Sequence, residues 1–164
     1  MKATRFNHVS VRAIDLETSV RWYEELFGVT RLPAPNFGIK LAWLELGDMQ
    51  LHIFERDCES NRYSHFGLDV DDFEAVYLKA KALNAFDRIG YYSHHLFETP
   101  AGELQLYLRD PAGNLLEVNW PNAATIDRTV VTGIVRRADL HAQSEENLAA
   151  TLSLGPPVAA HADG

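Results

Sequence analysis

The chain has 164 residues, of which 46% are hydrophobic, enough for one compact domain or two small halves that share a core. Its formal net charge of −8 argues against nucleic acid and anionic membrane surfaces as partners. Cys58 is the single cysteine, which excludes an intrachain disulfide and a cysteine-based zinc site.

Two further classes are disfavoured by the distribution of apolar residues. The first ten residues, MKATRFNHVS, lack the apolar run of a signal peptide. No stretch of the chain approaches the roughly 20 apolar residues that a membrane span requires. We therefore expect a soluble, cytoplasmic protein.

The first half of the chain predicts one strand, one helix and then a hairpin. Apolar and polar residues alternate from Phe6 to Ala13, which is typical of a strand with one apolar face. Asp15 is well placed as a helix N-cap, and Gly28 follows an amphipathic helix as its stop. The later stretches KLAWLEL and MQLHIFE are joined by Gly47-Asp48, a hairpin signal.

The second half repeats this order 57 residues later, so that His65 takes the place of His8. Asp72 then takes the place of Asp15, and another helix pattern follows. The stretches ELQLYLR and LLEVNW are joined by the turn DPAGN. The matching periodicity indicates an internal duplication of a β-α-β-β-β module, with module one at 5–56 and module two at 62–120.

Each module has one helix, which can cover only one face of its sheet. The other face is then solvated or encloses a cavity. Strand alternation places on this uncovered face the polar residues His8, Gln50, His52, His65, Tyr107 and Glu117. If the sheets curl toward each other, two imidazoles and one carboxylate converge, a ligand set that suits Fe²⁺, Mn²⁺, Zn²⁺ or Ni²⁺.

Four strings carry a family resemblance over roughly residues 5–120: NHVSV, SHFGL, WYEELFG and YLRDPAGNLLEV. In this order and spacing they resemble the vicinal oxygen chelate superfamily of glyoxalases, bleomycin-resistance proteins, fosfomycin-resistance enzymes and extradiol dioxygenases. The resemblance implies an α+β fold with two tandem β-α-β-β-β modules in a curved, cup-like mixed sheet around a metal site. We expect a single such domain at 1–122.

The resemblance also implies a ligand set. The family's two histidines correspond to His8 and His65, and its terminal glutamate corresponds to Glu117. A fourth ligand falls on Gln50 or, with a two-residue slip, on His52; Gln50 is preferred because it lies three residues after the hairpin glycine. The expected cofactor is a divalent metal ion, with Fe²⁺ favoured over Mn²⁺, Zn²⁺ and Ni²⁺. Members of the superfamily are commonly dimers, so the resemblance also implies a homodimer.

The leading functional hypothesis is an extradiol-type dioxygenase that chelates two neighbouring oxygens of a small substrate on the metal. In this hypothesis Tyr107 is a catalytic phenol near the metal, and His94, which precedes His95 in the YYSHHLFETP stretch, assists proton transfer as a histidine does in ring-cleaving relatives. The alternatives are a glyoxalase- or epimerase-type lyase or isomerase, favoured if Gln50 coordinates, and a metal-free protein that sequesters an aromatic antibiotic. Thiol transfer to fosfomycin is disfavoured because the sequence has no cluster of basic residues for a phosphonate.

The C-terminal part of the chain, residues 123–164, lies beyond the family core. An apolar stripe of Ile126, Val130, Val131 and Ile134 predicts a helix, and the final GPPVAAHADG predicts a flexible end. This part is expected to lie across the same subunit, or to act as a lid or a dimer contact.

Overall fold

The computed structural model describes residues 5–89 and 94–152. They form an α+β fold with two mixed β-sheets and few helices, as the sequence predicts. One compact unit contains the described residues up to Arg62 together with Asp110–Asn114, and the other contains the remaining described residues.

The first unit has a four-stranded sheet in the order β1-β4-β3-β2. β1 and β4 run parallel, whereas the other neighbouring strands are antiparallel. The helix packs against β3 and β4 and buries residues such as Val20 and Leu26. Its elements are β1 (His8–Ala13), α1 (Leu16–Phe27), β2 (Arg31–Leu32), β3 (Leu41–Leu46) and β4 (Met49–Glu55).

The second unit has a five-stranded sheet in the order β5-β8-β7-β6-β9. Its first strand pairs in parallel with β8, as β1 does with β4, so the predicted duplication of the β-α-β-β-β order is confirmed. The module and domain bounds remain predictions. Its elements are β5 (His65–Asp69), α2 (Phe73–Ala82), β6 (Leu96–Glu98), β7 (Leu104–Arg109), β8 (Leu115–Trp120), β9 (Val135–Arg136), α3 (Arg137–Leu140) and α4 (Glu145–Leu148).

Both long helices begin at the aspartates that the sequence indicates. The Asp15 carboxylate accepts a hydrogen bond from the Thr18 backbone N–H over 2.8 Å, and that of Asp72 accepts one from Ala75 over 2.9 Å. These bonds satisfy backbone donors that the first turn of a helix leaves unpaired. The two caps therefore fix where each helix leaves the strand that carries His8 or His65.

The predicted helix over the apolar stripe at 126–134 is wrong. A short 3-10 turn at Ala123–Thr125 precedes this stretch, and no helix begins before α3 within it. The Asp127 side chain accepts hydrogen bonds from the backbone N–H and the hydroxyl of Thr129, a local turn that competes with helical pairing. Val131 is buried, so the stripe packs as an irregular segment.

The tail extends the second sheet instead. β9 pairs in parallel with β6, with Val135 beside Phe97. Short helices α3 and α4 follow. In the described ranges 5–89 and 94–152, no helix has the length and apolar character to cross a membrane.

Candidate functional site

His65 and Glu117 form the centre of the candidate site in the second unit. The Nε2 atom of His65 lies 3.3 Å from the Oε2 atom of Glu117. The His65 Nδ1 atom lies 3.2 Å from the Tyr63 carbonyl oxygen, which can only accept. A proton on Nδ1 would make this bond, and Nε2 would then carry the lone pair that a metal ion placed between it and Glu117 requires.

The Glu117 carboxylate is buried, and its second oxygen is also engaged. Oε1 accepts a hydrogen bond from the Gln105 side-chain amide over 3.0 Å. Gly67, the strand neighbour of Glu117, contributes no side chain, and a Cβ atom there would lie only 3.0 Å from the Asn119 amide nitrogen. The Glu117 carboxylate is therefore contacted at both oxygens, by Gln105 and by His65, and the Asn119 amide occupies the position that a side chain at residue 67 would take.

Tyr107 lies directly beside Glu117 in the β7–β8 pairing. Its ring meets that of His65 edge to face, with centroids 5.8 Å apart, and its side chain is buried with Phe97 and Leu115. The sequence indicated a polar face here, but this part of it is covered, because Val135 of β9 packs against the same cluster.

Arg137, in α3, is a site residue that sequence reasoning missed. Its Nε atom donates to the Gln105 side-chain oxygen over 3.0 Å, and its NH2 atom lies 3.5 Å from the Tyr107 hydroxyl. The guanidinium carbon lies 4.1 Å from the centre of the Phe97 ring, a cation–π contact. No local periodicity marks this arginine, because the pairing of β9 with β6 positions it.

In the first unit, His8 and Gln50 are direct neighbours on the parallel strands β1 and β4. His8 Nδ1 lies 2.6 Å from the Asn7 side-chain oxygen. His52 stacks between the rings of His8 and Trp43, each 4.4 Å away, and its Nε2 lies 2.9 Å from the Gln50 oxygen. Burial, followed by the nearby His8, lowers the pKa of His52. His52 is thus placed to orient Gln50.

His94 lies against the C-terminal segment. Its Nε2 atom lies 2.5 Å from the Gly133 carbonyl oxygen, and its ring centroid is 4.6 Å from that of His95 and 5.8 Å from that of Phe97. Its predicted part in proton transfer remains a prediction.

No group of three or more His, Cys, Asp or Glu side chains within residues 5–89 and 94–152 has the arrangement of a metal site. The His65–Glu117 pair fits two donors of one ion, because donors each about 2.0–2.2 Å from a tetrahedral or octahedral ion lie about 3–3.5 Å apart. The full set of His8, Gln50, His65 and Glu117 stays a prediction.

Residues 5–118 match the family model of the Glyoxalase/Bleomycin resistance protein/Dioxygenase superfamily. The chain belongs to this superfamily. The match spans both β-α-β-β-β repeats and stops within β8, so the C-terminal segment that carries Arg137 lies outside it.

Individual superfamily relatives have diverse descriptions. A probable trivalent organoarsenical cleaving enzyme of Bacillus subtilis (strain 168) is 28% identical over 114 residues, 67% of this chain and 75% of the relative. Lactoylglutathione lyase from Agrobacterium tumefaciens has a TM-score of 0.56 at 21% identity, covering 72% of this chain and 94% of the other. The oxidase ChaP-H2 has a TM-score of 0.59 at 19% identity, and the alignment covers 74% of this chain and 99% of the oxidase chain.

These two structures share the vicinal oxygen chelate fold with this chain, and at such identities they bear on the fold alone. Superfamily members are largely enzymes that act on small molecules, typically with a divalent metal ion, and they often form dimers.

Proposed function

We propose that the protein is a divalent-metal-dependent enzyme whose small substrate binds through two neighbouring oxygens, with extradiol-type ring cleavage as the leading reaction. The observation that carries the proposal is the 3.3 Å approach of His65 Nε2 to Glu117 Oε2, with the other ring nitrogen of His65 held by a backbone carbonyl. His8 and Gln50 are proposed to supply the remaining ligands. Fe²⁺ is the favoured ion, with Mn²⁺, Zn²⁺ and Ni²⁺ as alternatives.

A bound ion of this kind would act as a Lewis acid toward the substrate oxygens. The chain's own residues are proposed to orient the substrate and move protons. The Tyr107 hydroxyl, beside Glu117 on the neighbouring strand, donates to a substrate oxygen on which negative charge develops. His94 is proposed to transfer a proton, and the buried Phe97–Leu115 cluster limits water access.

A second reaction class is favoured by the register of the first sheet. Gln50 lies beside His8, and its oxygen is oriented by His52. If Gln50 coordinates the metal, a glyoxalase- or epimerase-type lyase or isomerase is favoured. A third reading, a metal-free protein that sequesters an aromatic antibiotic, is supported by the Trp43–His52–His8 stack.

Metal analysis followed by oxygen uptake separates these readings. Protein purified without added metal is analysed for bound ions and then tested with a panel of catechols. His65→Ala and Glu117→Ala should each sharply reduce the metal content, since each removes one proposed ligand. The exposed His141 provides a matched control, because His141→Ala removes a histidine outside the site.

Each result has a distinct meaning. Unchanged metal content in the His65→Ala and Glu117→Ala variants would reject the metal site. Bound metal without oxygen uptake on any catechol would favour the isomerase class. Tight binding of an aromatic compound that persists after chelation would favour the sequestering protein. A homodimer is also proposed. Its molar mass can be measured by size-exclusion chromatography with light scattering.

A further inference from the structure

Gln105 connects two charged side chains in one defined orientation. Arginine has only donors, so the Gln105 oxygen must accept from Arg137 Nε at 3.0 Å. The Gln105 amide nitrogen is therefore the atom that donates to Glu117 Oε1, also at 3.0 Å. The two bonds support the same amide orientation, and Gln105 and Glu117 are both buried.

The C-terminal segment fixes Arg137 itself from several sides. β9 joins the edge of the second sheet beside β6, and Arg137 follows it directly as the first residue of α3. The guanidinium then lies over the Phe97 ring while it reaches Gln105. An arginine held by a ring and an amide retains little rotamer freedom, which suits a residue that must hold another group in place.

This chain of contacts ends on the carboxylate that faces His65. Glu117 cannot turn its Oε2 away from His65 without breaking the bond from Gln105 to Oε1. A positive charge on the far side of the Gln105 amide polarises it and strengthens its N–H as a donor. Partners of this kind around a metal ligand commonly contribute 10–100-fold to metal affinity.

We propose that Arg137, supplied by the C-terminal segment outside the family match, is a positioning residue that holds Glu117 in its ligand orientation through Gln105. This inference rests on the proposed metal function. It assigns the tail a part in assembling the site, beyond covering the edge of the sheet.

The test measures Zn²⁺ affinity by competition with a chromogenic chelator. Arg137→Met should weaken Zn²⁺ binding by about 10-fold or more, and Gln105→Leu should weaken it by about 10–100-fold. The double variant should bind Zn²⁺ no more weakly than Gln105→Leu, because Arg137 acts through Gln105. Arg137→Lys should give an intermediate affinity, since an ammonium keeps the charge but loses the planar fork.

Arg136→Met is the matched control. Arg136 is the preceding residue of the same segment, its side chain is 59% exposed, and it pairs with Glu98 and Asp139. Its variant should bind Zn²⁺ as the wild type does. Thermal unfolding of each metal-free variant establishes that it is folded, and the absorption spectrum of the Co²⁺-loaded protein reports on coordination geometry, which a loss of global stability alone would not change.

The Glu117→Ala variant distinguishes failure of the positioning role alone from failure of the proposed metal site. If Glu117→Ala weakens Zn²⁺ binding and Arg137→Met does not, the positioning role is overturned while the metal site stands. Additive losses in the double variant would also overturn it, because Arg137 would then act independently of Gln105. If Glu117→Ala binds Zn²⁺ like the wild type, both the proposed function and the positioning role are overturned.

Discussion

His8 lies beside Gln50 because β1 and β4 run parallel with these two residues in register. His52, two residues farther along β4, is beside Ser10 instead, and its ring is stacked between two others. That Gln50 rather than His52 is the ligand that accompanies His8 stays a prediction.

Gln50→Ala should weaken Zn²⁺ binding by at least about tenfold, and by more than His52→Phe does. The phenylalanine keeps a ring between Trp43 and His8 but removes the contact with the Gln50 oxygen. Competition with a chromogenic chelator measures the Zn²⁺ affinity of both variants and shows which substitution causes the larger loss. A larger loss for His52→Phe would identify His52 as the ligand.

Tyr107→Phe tests whether the phenol takes part in the reaction. Turnover should fall by roughly 10–10³-fold if the hydroxyl stabilises developing charge. KM should change far less, since an interaction made in the transition state affects mainly the rate. Oxygen uptake with a catechol substrate measures both quantities. Tyr77→Phe is the control, because that hydroxyl contacts Thr132; equal turnover in the two variants would contradict a catalytic Tyr107.

Asp110→Ala should lower the free energy of unfolding by about 2–4 kcal/mol. Asp110 accepts hydrogen bonds from the buried Tyr23 hydroxyl, from the backbone of Ala112 and from the backbone and side chain of Asn114. Removing the carboxylate leaves these donors unpaired. Tyr23→Phe removes a single bond and should cost about 0.5–1.5 kcal/mol. Urea unfolding compares them, and equal losses would contradict a role for Asp110 as the shared acceptor.

His95 should make the stability depend on pH. Burial, together with the charges of His94 and Arg88, lowers the pKa of His95 in the folded protein. The unfolded chain takes up this proton first, near pH 6.5, so the contribution of His95 is present above about pH 6.5 and is lost as the pH falls through the lower folded value.

Urea unfolding at pH 7.5 and 5 measures this contribution. The stability of the wild type should decline more between these values than that of His95→Phe, which keeps the stack on Phe86 without the titrating group. His141→Gln, at an exposed position, should behave like the wild type. An equal decline in His95→Phe would contradict this source of pH dependence.

The sequence predicted those features that depend on residues close together in the chain, such as strand alternation and helix N-caps. Alternation placed Tyr107 and Glu117 on one face of the second sheet, and both helices begin at their aspartate caps. Gln105 precedes Tyr107 by two residues on β7, so strand alternation gives it the same face, but alternation does not reveal that it contacts Glu117 and Arg137. Arg137 carried no signal, since a pairing between strands far apart in the chain positions it.

In the C-terminal segment the sequence pattern predicted too much, because the apolar stripe at 126–134 indicated a helix that does not form. Periodicity reports which residues are apolar but not which local hydrogen bonds compete with the helix. Asp127 and Thr129 form such bonds within this stretch.

The first unit is assembled from two stretches of chain, since Asp110–Asn114 belongs to it. During synthesis the ribosome releases the N-terminal part of a protein first, and such parts often fold before the rest emerges. Here the Tyr23 hydroxyl and the Arg12 side chain obtain their partners only after residues 110 and 112 have been made. An N-terminal half expressed by itself would lack those partners. A gene divided between the two sequence repeats would therefore not encode two complete structural units, because the boundaries of the repeats and of the units differ.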